Sequence, residues 1–128
     1  MTRTATDLPT ILIVEDDEDS RFVYGAKLRS AGFEVITASS GSDGLRMARE
    51  RRPAAVLMDV SVPGMDGWTV TQQLKSDPDT SEIRVVIVTA HAFPEDVQRA
   101  ESVGCDGFLT KPCEPWRVLE EVTRLISD

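Results

Sequence analysis

The stretch ILIVEDDED, residues 11–19, joins four consecutive aliphatic residues to five consecutive acidic ones. A strand that is apolar at every position, rather than at alternate positions, is typical of a parallel sheet covered by helices on both faces. Polar residues directly after such a strand lie at its carboxyl end, where open α/β sheets bind their ligands. This stretch therefore predicts both a fold class and the edge of the sheet at which chemistry is expected.

The same pattern of an apolar run followed by a helical segment recurs along the chain. The further apolar runs are residues 33–38, 54–58, 83–88 and 105–109. Segments with helical periodicity separate them, such as the apolar stripe of Phe93, Val97 and Ala100, and Gly32 and Gly104 follow two of these segments where a left-handed cap residue is expected.

Five βα units predict an α/β fold, a doubly wound (βα)5 flavodoxin-like domain with a parallel five-stranded sheet in the order 2-1-3-4-5. The domain is expected to cover residues 10–127, and residues 1–9 are predicted to form a disordered tail.

Composition excludes several classes of protein. The chain has 128 residues, 41% of them hydrophobic, and a formal net charge of -8, which indicates one globular domain. Because an acidic surface repels phosphate backbones, direct binding to nucleic acid is disfavoured. The apolar runs are far shorter than the roughly 18 residues of a membrane span, and no signal peptide is evident, so we expect a soluble, cytoplasmic protein. Cys105 and Cys113 are eight residues apart and are predicted to be reduced structural residues.

Polar residues also follow the third, fourth and fifth apolar runs. They are Asp59, Thr89 and Lys111, and the strand order would bring them to the same edge as Glu15 and Asp16. Closely packed carboxylates repel one another unless a cation lies between them. Hard oxygen ligands favour Mg²⁺ or Mn²⁺, and a lysine with a threonine hydroxyl would neutralise and bind phosphate oxygens. The pattern therefore predicts phosphoryl transfer to Asp59, the carboxylate at the end of the middle strand.

Each of these residues also has a structural interpretation. The acidic run could be a helix N-terminus stabilised by the macrodipole, and we adopt that interpretation for residues 17–19. Asp59 could be a turn or cap residue, Thr89 a strand former and Lys111 a solvated loop lysine. Taken together at the ends of the appropriate strands, however, they favour a functional site.

Four motifs make the chain resemble the receiver domain of a two-component response regulator. They are ILIVED at residues 11–16, VLMDVSVPGMDG at 56–67, VIVTA at 86–90 and GFLTKP at 107–112. The resemblance covers residues 10–127. In length, the chain resembles a stand-alone receiver of the chemotaxis type. Its motifs are specific as a set.

The resemblance implies a phosphorylation site that contains a metal ion. Asp59 would be the phosphoacceptor, and Mg²⁺ would be bound directly by Asp16, Asp59 and the backbone carbonyl of Ser61. Glu15, which stands where an aspartate is commoner, would hold the ion through water. The phosphoryl group would come from a histidine kinase or a histidine phosphotransfer protein.

The resemblance also implies a switch. Thr89 and Lys111 would contact the phosphoryl oxygens, Lys111-Pro112 would be a cis peptide, and the signal would pass from Thr89 to Phe108. The face formed by the fourth helix, fifth strand and fifth helix would then bind a downstream protein target, with Trp116 at its border. His91 is expected to be a solvated residue at the rim of the pocket.

Two other functions remain as alternatives. A Mg²⁺-dependent aspartyl-phosphate phosphohydrolase would be expected to carry an acidic residue two positions after the nucleophile, where this chain has Ser61, and a cap over its substrate. A flavodoxin-like cofactor carrier would need a phosphate-binding loop after the first strand, where acidic residues would instead repel phosphate. The first hypothesis makes the chain a signalling module whose only chemistry is its own phosphorylation and dephosphorylation. Whether it acts alone or as part of a longer regulator or hybrid kinase stays open.

Overall fold

Strands and helices alternate strictly along the chain in the computed structural model, which describes residues 8–90 and 93–127. The strands are β1 (Thr10–Val14), β2 (Glu34–Ala38), β3 (Ala55–Asp59), β4 (Arg84–Thr89) and β5 (Gly107–Thr110). The helices are α1 (Glu18–Ser30), α2 (Gly41–Arg51), α3 (Gly67–Ser76), α4 (Pro94–Ser102) and α5 (Pro115–Ile126). His91 and most of the predicted N-terminal tail, residues 1–7, lie outside the described residues.

All neighbouring strands of the sheet are parallel, and their order is β2-β1-β3-β4-β5. This confirms the predicted doubly wound α/β fold. The order places β1 and β3 side by side in the interior of the sheet, and β4 next to β3. In the described part of the chain, none of the helices has the length and apolar character needed to cross a bilayer.

The sheet separates two apolar layers, because successive side chains of a strand point to opposite faces. Leu12 and Val14 of β1 belong to the layer covered by α2, α3 and α4, and Ile11 and Ile13 to the layer covered by α1 and α5. Every residue of β3 is buried, as expected for a central strand of a parallel sheet. The apolar layers on both faces therefore hold the strands in place, including the carboxyl ends that carry the polar residues.

Local capping signals define where the helices begin and end. The side chains of Asp17, Ser40 and Asp66 accept hydrogen bonds from backbone N–H groups in the first turns of α1, α2 and α3. Gly32 and Gly104 follow α1 and α4 with φ of 95° and 83°, which confirms the predicted left-handed caps. The adoption of residues 17–19 as a helix N-terminus is likewise confirmed.

One strand boundary expected from the sequence was wrong, and one apolar stripe lies mostly at the surface. The fifth strand begins at Gly107 rather than at Cys105. The Cys105 N–H instead donates to the Ala100 carbonyl at 3.3 Å, as part of the turn that ends α4. The apolar stripe of the fourth helix is mostly not a core face. Phe93 and Val97 are 60% and 40% exposed, and Ala100 is the member of the stripe that is buried. The other strand bounds differ from the expected ones by about one residue at either end.

Candidate functional site

The carboxyl ends of four strands bring polar side chains to one edge of the sheet. Asp59 and Thr89 are the last residues of β3 and β4, and Glu15 directly follows β1. Val14 of β1 pairs with Met58 of β3, so Glu15 and Asp59 occupy the next position along the two neighbouring strands. The register of parallel strands is therefore what makes these two carboxylates neighbours.

Lys111 lies between the two carboxylates. Its Nζ atom is 2.7 Å from Oε1 of Glu15 and 2.9 Å from Oδ2 of Asp59. The Glu15 and Asp59 side chains are 4% and 8% exposed, and the lysine side chain is 24% exposed. The lysine backbone is also fixed, because its N–H donates to the Thr89 carbonyl at 2.8 Å. A single ammonium group thus bridges two buried acids and reaches the surface.

The electrostatics of this cluster shift two proton affinities. Burial raises the pKa of the Glu15 carboxyl to about 7, and the adjacent Asp59 carboxylate adds to the shift, while Lys111 and the Asp17 N–H oppose it. Burial acts to lower the pKa of Lys111, but its hydrogen bonds with Glu15 and Asp59 outweigh burial and raise that pKa above its usual value. The two carboxylates that Lys111 contacts therefore hold it in its charged form.

The loop after β3 orients the Asp59 carboxylate. The backbone N–H of Ser61 donates to Oδ1 of Asp59 at 2.9 Å, which leaves Oδ2 facing Lys111. Gly67, at the start of α3, packs so closely that a Cβ there would lie 2.7 Å from the Asp59 carbonyl oxygen. The Ser61 N–H and the Lys111 ammonium therefore hold the Asp59 carboxylate, while the close approach of Gly67 fixes the Asp59 backbone.

Arg21 is a contributor to the site that sequence reasoning missed. Its guanidinium donates to the backbone carbonyl of Glu15 at 2.9 Å, while the Asp17 N–H donates to Oε2 of Glu15 at 3.1 Å. Arg21 lies near the N-terminus of α1, where the helix dipole disfavours a cation. That local conflict was the signal in the sequence that could have indicated a contact between Arg21 and the loop before α1.

Three carboxylates form a group that fits a hard metal ion. Glu15, Asp16 and Asp59 each offer an oxygen atom, and these atoms all lie within 4.8 Å of one another. Glu15 and Asp59 are buried, whereas Asp16 is exposed at the mouth of the cluster. An oxygen-only set of ligands that is open on one side suits Mg²⁺, which retains several waters and is commonly bound by one or two carboxylates.

The predicted switch residues lie on the two strands beyond β3. Thr89 is 1% exposed at the end of β4, close to the site through its backbone bond with Lys111. Phe108 is half-buried in β5 and is not part of the carboxylate cluster. It lines two adjacent surface grooves of about 320 and 330 Å³, one shared with α4 and one with the start of α5. The Lys111-Pro112 peptide bond is cis.

Comparison with known proteins identifies the family. The family model for the response regulator receiver domain matches residues 11–123. The chain belongs to this family. The resemblance seen in the sequence is thereby confirmed, and the chain is a receiver domain of two-component signalling, a class of domain that acts as a switch rather than as a metabolic enzyme.

Relatives and solved structures support the same assignment over nearly the whole receiver domain. The polar-differentiation response regulator DivK of Brucella anthropi is 34% identical over 119 residues, which cover 93% of this chain and 97% of that protein. The chemotaxis response regulator CheY4 of Vibrio cholerae is 28% identical, with a TM-score of 0.86, over 92% of this chain and 98% of the other.

A third comparison concerns a receiver domain taken from a kinase. The receiver domain of the sensor histidine kinase PA1611 from Pseudomonas aeruginosa PAO1 is 28% identical, with a TM-score of 0.86, over 94% of this chain and 99% of that one. That structure has a magnesium ion coordinated in its active-site cleft. Receiver domains similar to this one therefore include stand-alone regulators and parts of kinases.

Proposed function

We propose that this receiver domain accepts a phosphoryl group on Asp59 from a phosphohistidine of a histidine kinase or a histidine phosphotransfer protein. The observation that carries the proposal is the position of Asp59 at the end of β3, with its Oδ2 atom 2.9 Å from the Lys111 ammonium. A buried carboxylate next to a fixed cation, at the open edge of a parallel sheet, suits an incoming phosphoryl group. Asp59 is thus assigned as the phosphoacceptor.

In the transfer step, a carboxylate oxygen of Asp59 attacks phosphorus. A P–O bond forms as the P–N bond to the donor imidazole breaks, and the imidazole nitrogen keeps the bonding electron pair and takes up a proton. Lys111 then contacts the phosphoryl oxygens together with the hydroxyl of Thr89, which offsets their negative charge. Attack of water on the same phosphorus later restores Asp59 and releases inorganic phosphate, so that the switch resets itself.

We assign the acidic cluster as a Mg²⁺ site, and Mn²⁺ has the same ligand preferences. The carboxylates of Glu15, Asp16 and Asp59 lie together. As the family resemblance implies, Asp16, Asp59 and the backbone carbonyl of Ser61 would bind the ion directly, and Glu15 would bind it through water. The ion supplies positive charge that offsets the charge on the phosphoryl oxygens. The magnesium ion in the PA1611 receiver domain supports this assignment.

The output face is proposed to be the surface of α4, β5 and α5, with Thr89 and Phe108 as the switch residues. Phe93, Val97 and Trp116 are large apolar side chains that are exposed on or beside this surface. Exposed apolar groups of this kind favour contact with a downstream protein. We place the activity in the cytoplasm and assign the domain no direct role in binding nucleic acid or membranes, as its composition predicts.

Intact-protein mass spectrometry after incubation with acetyl phosphate, with and without Mg²⁺, tests the proposal. The parent protein should gain one phosphoryl group only when Mg²⁺ is present, and Asp59→Asn should gain none. Asp66→Asn is the matched control, because Asp66 lies in the same loop but caps α3, and asparagine caps a helix equally well. An adduct on Asp59→Asn, or none on the parent, would overturn the assignment. Steady turnover of a simple phosphoester would favour the phosphohydrolase instead.

A further inference from the structure

Helix α4 is attached to the rest of the molecule by little buried surface. Ala100 is its one buried residue, whereas each of the other four helices buries three or more. An alanine side chain contributes only a methyl group of buried apolar area. Val97 on the same helix and Phe93 at its N-cap are largely exposed. Apolar packing alone therefore determines the position of α4 only weakly.

A cation–π contact fixes α4 at a second point. The guanidinium carbon of Arg99 lies 5.1 Å from the centroid of the Trp68 ring. This distance is within the range of about 6 Å over which a cation is attracted to an aromatic face, and tryptophan is the strongest aromatic partner. Within residues 8–90 and 93–127, Arg99 takes part in no ion pair. The guanidinium of Arg99 therefore contacts the Trp68 ring of α3 rather than a carboxylate of the described residues.

Trp68 connects this contact to the backbone at the phosphoacceptor. It directly follows Gly67, whose N–H donates to the Val60 carbonyl at 3.3 Å and which has no space for a Cβ against Asp59 and Val60. Trp68 itself is 8% exposed and packs in the same apolar layer as Val60 and Ala100. A close-packed interior transmits displacement. Movement of the backbone at Asp59 therefore reaches the indole through direct contacts.

We propose that Arg99 is a positioning residue that acts through Trp68: it sets the position of α4 and couples that position to the state of Asp59. A change at Asp59 displaces Trp68, the Arg99–Trp68 contact changes with it, and α4 moves together with the exposed Val97 side chain. The coupling to Asp59 rests on the proposed phosphorylation, whereas the fixing of α4 by Arg99 does not. This contact is a second route from the site to the output face, separate from Thr89 and Phe108.

The test uses a parent protein that carries Trp116→Phe, so that Trp68 is the one remaining tryptophan of the chain. Arg99→Met removes the charge but keeps an unbranched side chain, and Arg99→Lys keeps the charge. Gln98→Met, on the exposed side of α4, is the control for an added apolar group.

Tryptophan emission is recorded as beryllofluoride, a mimic of the phosphoryl group, is added with Mg²⁺. Fluorine NMR measures the amount of adduct, and hydrogen exchange of α4 amides is measured without beryllofluoride.

At equal adduct, the emission change should fall about threefold or more in Arg99→Met and persist in Arg99→Lys and Gln98→Met. Exchange of α4 amides should be about fivefold faster in Arg99→Met alone. A full emission response in Arg99→Met would overturn the coupling, and unchanged exchange would overturn the fixing of α4. If the parent forms no adduct, the proposed phosphorylation and the coupling both fail, and hydrogen exchange still decides whether Arg99 fixes α4.

Discussion

Lys111 balances the charge of the acidic edge, because its ammonium group contacts both buried carboxylates of the cluster. Removing one partner of a buried ion pair leaves an uncompensated charge, which costs more than the pair itself contributes. In this cluster the loss of the lysine would leave Glu15 and Asp59 facing each other. The same side chain would therefore serve stability in the resting protein and phosphoryl binding in the modified one.

Lys111→Met is expected to lower the free energy of unfolding by about 3 kcal/mol in the absence of divalent metal, at a pH above the Glu15 pKa of about 7, where both carboxylates are ionised. The methionine keeps the length of the side chain but cannot neutralise the two carboxylates. Urea titration with and without Mg²⁺ checks this expectation, and Mg²⁺ should stabilise the variant more than the parent. Equal stability of variant and parent without Mg²⁺ would contradict it.

At the scale of elements, an ion pair between Lys75 and Asp106 joins α3, β4 and the segment before β5. It lies at the amino ends of the strands, opposite the candidate site. The Lys75 ammonium lies 2.6 Å from Oδ2 of Asp106 and donates to the Ile83 carbonyl at 2.6 Å. The same Asp106 oxygen accepts from the Val85 N–H at 2.8 Å. Both side chains are less than one fifth exposed. This cluster fixes where β4 begins and how the segment before β5 meets it.

Lys75→Met is expected to reduce the free energy of unfolding by about 2 kcal/mol, because the half-buried Asp106 loses its closest cation and is left with the more exposed Arg84 at 3.6 Å. Arg46→Met is the comparison, since Arg46 pairs with Asp43 and Glu50 on the exposed surface of α2. Exposed pairs contribute about 0–1 kcal/mol. Chemical denaturation of both variants checks the difference, and equal losses would show that burial does not decide the effect.

The contact between α2 and the loop before α3 depends on a glycine. A Cβ at Gly41 would lie 1.6 Å from the Met65 carbonyl oxygen, and the backbone atom cannot move aside as a side chain could. Gly25 in α1 differs, because the nearest atom to a Cβ there is the end of the Arg29 side chain at 3.3 Å. An alanine at Gly41 therefore tests the cost of a steric clash, whereas an alanine at Gly25 tests mainly the gain in helix propensity.

Gly41→Ala should lower the free energy of unfolding by about 2 kcal/mol or more through overpacking. Gly25→Ala should instead raise it by up to about 1 kcal/mol, because alanine is the better helix former. Thermal denaturation of the two variants measures both signs. A neutral Gly41→Ala would mean that the loop shifts freely against α2.

At the scale of the whole molecule, one edge of the sheet gathers the polar residues while the two apolar layers hold the sheet rigid. A ligand that binds only the folded edge stabilises the entire domain by mass action. If the acidic cluster binds Mg²⁺, thermal stability must therefore report on the site even without phosphorylation. The melting temperature of the whole domain therefore reports Mg²⁺ binding by the acidic cluster.

Mg²⁺ at 100 times its Kd should stabilise the parent by about 2.7 kcal/mol. Asp16→Asn should lose most of this gain, because it removes a ligand from the exposed side of the cluster. Asp19→Asn is the matched control, since Asp19 belongs to the same acidic run but lies in the first turn of α1. Calorimetric melting across a Mg²⁺ series provides the measurement, and an equal gain in both variants would remove Asp16 from the ligand set.

Much of the fold and the outline of the site could be predicted because their signals are local. The aliphatic run before Glu15 predicted a buried parallel strand, and the left-handed cap expected at Gly104 is present. The strand order then predicted that Asp59, Thr89 and Lys111 lie at the same end of the sheet. These inferences needed only hydrophobic periodicity, turn chemistry and the common direction of parallel strands.

The amino-acid sequence alone determined the fold class, the family and the residues that reach the acidic edge. Only the tertiary structure decided that Lys111 contacts Glu15 and Asp59, residues 96 and 52 positions away along the chain. It also decided that Arg99 of α4 lies over the Trp68 ring of α3. The physical reason is that periodicity specifies which face of an element is buried, whereas the contacts of a long, flexible cation depend on the packing of elements that are distant in sequence.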